Sequence, residues 1–205
     1  MPLLAMLRHG PTAWTAERRL QGRIDMALSA EGRAAVLGWR LPRQTAGFAW
    51  VTSPLARARE TAALLGHGDA AADARLVEMS FGDWEGRRLA DLRAEFGAAM
   101  EALEGRGLDF RAPGGESPRD VQQRLAPFLL EVGRGRGDLI AVTHKSVIRS
   151  LYALATGWPM LGRSPDRLAE FALHLFAVDS EGKPTVHRLN LPLEQDRVSL
   201  NRADP

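Results

Sequence analysis

Five side chains in this sequence have types and contexts suited to phosphoryl chemistry: Arg8, His9, Arg57, Glu78 and His144. Neutral imidazole is a competent nucleophile toward phosphorus. Arginines match phosphate oxygens with paired N–H donors and stay charged at any working pH. A carboxyl group whose pKa is raised by burial can protonate a leaving oxygen. Positioning and charge stabilisation are most of what phosphoryl transfer requires, so such a set needs no metal and no organic cofactor. Taken singly, none of the five is informative. A histidine after a strand is more often structural, an arginine on a helix more often solvated, a glutamate more often an ordinary surface acid. Their meaning depends on whether the fold gathers them.

The elements around them predict that it does. Pro2 to Leu7 is a short apolar run that delivers Arg8 and His9 at its end, the pattern of a buried parallel strand. Leu139 to Thr143 does the same for His144, and Phe48 to Thr52 for Ser53. Pro54 suits the first position of a helix over Ala56 to Leu65, which puts Arg57 in its first turn. Ser29 reads as the N-cap of a helix to Arg43 with Ala34, Ala35, Leu37, Gly38 and Leu41 inward. Ala74 to Val77 reads as a short strand leading to Glu78. Ser117-Pro118-Arg119-Asp120 has the form of a capping motif for a helix to about Val132, ended by Gly133 to Gly137. After His144 a helix presents Val147, Ile148, Leu151 and Leu154 on one face. Ala169 to Val178 and Pro184 to Leu189 read as a late hairpin about Asp179 to Gly182, followed from about Glu194 by a polar tail.

This alternation predicts an α/β fold, a three-layer sandwich with a mostly parallel central sheet covered by helices on both faces. Ligands of such sheets sit outside the carboxyl ends of the strands, so the five side chains should meet at one rim. Residues 81–115, with Trp84, Gly86 and the turn Pro113-Gly114-Gly115, read as an insertion over that end of a single domain spanning 1–205.

Composition narrows the setting. Of 205 residues, 45% are hydrophobic and 25% charged, ordinary for a globular chain long enough to bury its own core. The absence of cysteine excludes a disulfide framework, thiolate chemistry and cysteine zinc sites. A net charge of +2 and the lack of any nucleic-acid-binding motif argue against DNA or RNA. No HExxH-like spacing joins the histidines into a metal site, and His67, His174 and His187 have no context that suggests chemistry. The first apolar run is too short for a secretory leader and no stretch is long enough to span a bilayer, so a cytoplasmic protein is expected, monomeric or homodimeric.

The same residues lie in an ordered set of motifs. Leu7-Arg8-His9-Gly10-x-Thr12, Leu20-Gln21-Gly22-x-x-Asp25 and Ser53-Pro54-Leu55-x-Arg57-Ala58-x-x-Thr61-Ala62 come first. Leu76-x-Glu78, Phe81-Gly82-x-Trp84-Glu85-Gly86, Gly114-Gly115-Glu116-Ser117 and Val142-Thr143-His144-x-x-Val147-Ile148-Arg149 follow. In this order they resemble the histidine phosphatase superfamily, which contains cofactor-dependent phosphoglycerate mutases and many phosphatases. The resemblance implies that His9 is the phosphorylated nucleophile, that Arg8, Arg57 and His144 surround the phosphoryl group, and that Glu78 is the general acid. It implies that Gln21 and Gly22 lie near the phosphate or leaving group. Two departures stand out. Thr15 replaces a common phosphate-binding asparagine, and Lys145-Ser146 replace two glycines, which would strain the backbone if φ there were positive. Otherwise Lys145 would add positive charge beside the substrate at a helix N-terminus.

Phosphatases and mutases of this kind share a phosphohistidine and differ in its fate. Only about 65 residues separate Glu78 from His144, fewer than the resemblance implies for a mutase with its shielded site. A phosphomonoester hydrolase acting on a small phosphorylated metabolite is therefore expected. A phosphoglycerate mutase is the alternative in the same class, and a regulatory protein that binds a phospho-ligand with little turnover the alternative in another.

Overall fold

In the computed structural model, which describes residues 1–195, the chain enters directly into the centre of a sheet. β1 (Leu3–Arg8) alternates its side chains between two layers, as a strand must. Leu4 and Met6 pack with one apolar cluster, Ala5 and Leu7 with the other. A one-turn helix α1 (Ala13–Ala16) precedes α2 (Ala30–Leu37), then β2 (Trp39–Arg40), β3 (Ala49–Thr52), α3 (Ala56–Leu64) and the edge strand β4 (Ala71–Ala72). The helices α4 (Leu89–Phe96), α5 (Ala98–Glu104) and α6 (Pro118–Arg134) lead to β5 (Leu139–Thr143) and α7 (Lys145–Thr156). The hairpin of β6 (Ala172–Val178) and β7 (Pro184–Pro192) follows, and β8 (Glu194–Gln195) pairs with β2.

The main sheet has the order β4-β3-β5-β1-β6-β7. Its first four strands are parallel, and β6 and β7 add antiparallel. On one face α6 and α7 contribute Val121, Leu125, Phe128, Leu129, Val147, Leu151 and Tyr152, while Val36 of α2 and Ala58 and Ala62 of α3 cover the other. Both faces are thus buried, as parallel strands require. Each fully buried Leu or Phe contributes about 1.5–3 kcal/mol relative to exposure, so the two layers hold the sheet without any cross-link. The expected three-layer sandwich is present.

Several local expectations need correction. Helix α2 stops at Leu37, and its buried residues are Gly32 and Val36; Ala34, Ala35 and Leu37 are exposed. Ser29 does cap it, accepting from the Gly32 N–H at 3.0 Å. Pro54 lies two residues ahead of α3, whose N-cap is Leu55. Ala74–Leu76 is a 3-10 turn rather than a strand, because the Asp73 side chain accepts from the Arg75 N–H and caps it. Leu154 is exposed on α7. The Ser117–Asp120 capping box forms as expected, and α6 runs through Gly133 to Arg134. The segment after Phe81 builds a small core of its own from Trp84, Leu92, Met100 and Ala112. The expected polar tail begins with β8, and its remainder lies outside the described residues.

Candidate active site

The parallel register brings three strand ends to one rim. Arg8 stands opposite Thr143, and Thr52 opposite Val142. The ladder continues one residue further: the His9 N–H donates to the Thr143 carbonyl at 3.0 Å and the Ser53 N–H to the Val142 carbonyl at 2.9 Å. His9, Ser53 and His144 therefore emerge side by side. The two imidazole centroids lie 5.1 Å apart, and both rings are buried.

The protonation of His9 follows from one contact. Its Nδ1 lies 2.7 Å from the Gly10 carbonyl oxygen. A carbonyl only accepts, so in the neutral ring Nδ1 carries the proton and Nε2 holds a free lone pair. Burial, with Arg8 and Arg57 nearby, keeps the His9 pKa well below its ordinary value, so the ring is neutral at pH 7. His144 is held low in the same direction by burial, His9 and Arg57. Its Nε2 lies 2.7 Å from Ser53 Oγ, and its Nδ1 is buried with no partner.

Arg57, in the first turn of α3, is fully buried. It donates through Nη1 to the Ile24 carbonyl at 2.9 Å and through Nη2 to the Gly22 carbonyl at 2.7 Å, and it forms no ion pair with a described residue. Gly22 has φ +52°, where any other residue would be strained, and a Cβ there would displace the Glu85 carboxylate it meets at 2.0 Å. The Nε atoms of Arg57 and Arg8 are buried without partners. Such orphan donors are costly in a dry site unless an anion completes them.

Glu78 arrives from outside the sheet. The Thr143 hydroxyl donates to the Leu76 carbonyl at 2.7 Å, and Arg124 Nη2 to the Val77 carbonyl at 2.6 Å, which together dock the capped turn onto the rim. Its carboxylate accepts from the Met79 N–H at 2.8 Å and lies 3.4 Å from the Ser146 N–H. Burial raises the Glu78 pKa, against the opposing pull of the Met79 N–H and Arg57. The arrangement places a neutral imidazole, a carboxyl with a strengthened hold on its proton and buried cationic donors around one point.

The outer residues divide. Thr15 closes a capping box with Thr12 and accepts from Gln21 Nε2 at 3.1 Å, so its hydroxyl already has local partners. Gln21 Oε1 is buried without one. Lys145 and Ser146 open α7 in ordinary helical geometry, so replacing glycine strains nothing there. Lys145 Nζ lies 2.9 Å from Glu170 Oε1, the same oxygen that stands 2.9 Å from Arg8 Nη1. Burial opposes charge on Glu170, but Arg8 and Lys145 outweigh it and hold its pKa low. Glu170 and Arg124 were not singled out by sequence. Ser53 was expected at its strand end, whereas Glu170 lies in an irregular loop with no motif around it. His67 stacks on Trp50, His174 contacts the Ala169 carbonyl and His187 is exposed. Among the described residues, no group of three or more His, Asp or Glu side chains is placed to hold a metal ion, and no helix is long and apolar enough to cross a membrane.

Known proteins resemble this chain in sequence and in fold. The model of the histidine phosphatase superfamily, branch 1, matches residues 4–192. A glucosyl-3-phosphoglycerate phosphatase of Mycolicibacterium vanbaalenii is 35% identical over 183 residues, 78% of each chain. A probable phosphoglycerate mutase of Citrobacter koseri is 33% identical over 161 residues, covering 75% of this chain and 74% of that one. A solved mycobacterial glucosyl-3-phosphoglycerate phosphatase in complex with inorganic phosphate superposes with a TM-score of 0.75 at 28% identity, over 94% of this chain and 98% of the other.

Proposed function

The chain belongs to branch 1 of the histidine phosphatase superfamily, and we propose that it hydrolyses a small phosphomonoester through a phosphohistidine at His9. The observation that carries this is the contact from His9 Nδ1 to the Gly10 carbonyl. It leaves the Nε2 lone pair of a buried, neutral imidazole free near Arg8 and Arg57, whose Nε donors have no partners.

His9 Nε2 attacks phosphorus in line, and the bond from phosphorus to the ester oxygen breaks. Glu78, protonated because burial raises its pKa, gives its proton to the departing oxygen. Its carboxylate then takes a proton from water as that water attacks phosphorus and the P–N bond breaks, returning His9 to the neutral state. Arg8, Arg57 and His144 donate to the phosphoryl oxygens, whose charge they stabilise without reorganising. Against the slow uncatalysed reaction, the site removes on the order of 20 kcal/mol from the barrier. Gln21 and the Gly22 turn border the leaving group. Thr15 is a peripheral contact, and Lys145 reaches a substrate only by releasing Glu170. No metal takes part, and the cytoplasm is the place of action.

His9→Ala removes the nucleophile. Phosphate release from p-nitrophenyl phosphate should fall by at least about 10⁴-fold, acid-labile phosphoprotein should disappear, and EDTA should leave the wild-type rate unchanged. Turnover of the variant near the wild-type rate would falsify the assignment. The relatives named as mutases favour a second reading, in which the phosphoryl group returns to the other oxygen of phosphoglycerate. Interconversion of phosphoglycerate isomers faster than phosphate release would establish it.

A further inference from the structure

The groups around His9 account for the phosphoryl end of a substrate, but a second space beside them is not used by that chemistry. A cleft of about 660 Å³ opens from Lys145 and Ser146 and runs beneath the segment around Phe110. Leu20, Met79, Phe81, Phe110, Met160 and Leu161 line it. This volume is that of a site for a molecule well beyond three carbons. Its walls favour a group that removes apolar surface from water, at about 25 cal/mol per Å².

Charged groups interrupt those walls, and they differ in whether a partner already holds them. Arg149, one turn along α7 from Lys145, lies with its guanidinium carbon 5.1 Å from the centroid of the Trp158 ring. It makes no hydrogen bond or ion pair with any described residue, and burial alone draws its pKa down. Arg93, which lines the same cleft, differs: Glu104 holds it with contacts of 2.9 and 2.7 Å. A purely apolar ligand would bury the Arg149 cation unsatisfied, and a neutral polyol would leave its charge unbalanced. A carboxylate completes it, since its two oxygens match a guanidinium fork. One partly buried guanidinium balances a monoanion, whereas a second phosphate would need more unpaired cations than the cleft offers, since Glu104 holds Arg93 and Glu170 holds Lys145.

We propose that this cleft binds the alcohol portion of the substrate, and that this portion is an aromatic ring or branched chain bearing a carboxylate read by Arg149. The inference rests on the phosphatase reading above and names the substrate class for that site. Phenyl phosphate and 3- or 4-carboxyphenyl phosphate differ only in the group in question. The wild-type enzyme should favour one of the carboxyphenyl esters by about tenfold or more in kcat/KM, as expected for hydrogen bonds to a charged group, mostly through KM. Arg149→Met should bring that ratio close to one. Leu161 is 49% exposed, so Leu161→Asp should fold; it should lower the ratio of phenyl to methyl phosphate turnover. Equal use of phenyl and carboxyphenyl esters by the wild type, or a preference that survives Arg149→Met, overturns the inference. It leaves the His9 chemistry standing if phenyl phosphate still forms phosphohistidine. Absence of both turnover and phosphohistidine overturns the two readings together.

Discussion

Arg57 and Arg75 are treated in opposite ways by the same fold. Arg75 lies on the side of the molecule formed by its own 3-10 turn and α6, where Asp73 and Glu131 hold it at 2.6 and 2.7 Å and raise its pKa. It also lies over the Phe128 ring at 5.4 Å. Arg57 lies at the strand rim, fully buried, with two backbone carbonyls and no carboxylate in ion-pair contact, and burial lowers its pKa. A cation given two carboxylates serves the folded state. A cation buried without one costs stability, a cost that the proposed binding of an anion there would account for. If that contrast is right, activity should depend on the rim and stability should depend only weakly on the ion-pair patch.

The largest effect is expected at Arg57. Arg57→Met keeps most of the apolar stem and removes the charge, so turnover of any phosphomonoester should drop by roughly 10³-fold or more. The folded protein should lose little stability, since a desolvated cation is removed at the same time. A variant that retained activity while losing several kcal/mol would invert the contrast. Glu78→Gln comes next. It should slow esters with poor leaving groups by roughly 10²-fold or more and aryl phosphates much less. Equal losses on alkyl and aryl esters would remove Glu78 from the acid role and leave it a structural part of the rim.

pH separates the two regions without mutation. His9 and His144 have lowered pKa values in the fold, so the stability of their neutral burial is present above about 6.5, their usual value. It is lost as pH falls below that toward their folded values, because the unfolded chain binds protons first. Glu78, shifted up, acts in the other sense: its contribution is present below the ordinary carboxylate range and is lost as pH rises through its folded value. Asp73 is shifted down by Arg75, so the patch weakens only in the carboxylate range, near and below about 4. Unfolding free energies from urea titration should therefore already fall between pH 6.5 and 5, by on the order of 1 kcal/mol per unit for each histidine, offset in part by Glu78. The slope should be shallower in His9→Asn. A flat profile down to pH 5 would mean the rim is wetter than its burial implies.

How much of this was legible in the sequence depended on how each signal arises. β5 could be bounded at Leu139 and Thr143 because a strand buried on both faces is a continuous apolar run, and the Ser117 box because cap geometry is local. With β1 and β3 read the same way, His9, Ser53 and His144 followed from topology alone. The inward face of α2 was misread because alanines give little contrast between faces, and Gly32 is buried for its lack of a side chain. There a Cβ would meet the Pro11 carbonyl at 1.9 Å. Ala74 to Val77 looked like a strand because Leu76 and Val77 are apolar, yet a single Asp73 side chain decides its geometry. Glu170 was invisible: its meaning comes from Arg8 and Lys145, which are close to it only in space. Motifs therefore pointed to the groups proposed to act on phosphorus, and only the fold revealed which charges around them are already paired.

The smallest expected effect tests the other half of the contrast. Arg75→Met removes the ion pairs to Asp73 and Glu131 but leaves a stem to cover Phe128. Exposed pairs contribute about 0–1 kcal/mol, because solvent screens them and ordering two long side chains costs entropy. For a chain of this size, Tm should fall by no more than about 2–4 °C. Arg75 also accepts, through its carbonyl, from Arg124, which in turn holds the Val77 carbonyl beside Glu78. That bond is made by the backbone and survives the substitution, so kcat/KM should stay within about threefold of wild type. A loss of activity comparable to that at Arg57, with Tm unchanged, would show that the patch steers the Glu78 turn, and the division between a structural arginine and a working one would have to be redrawn.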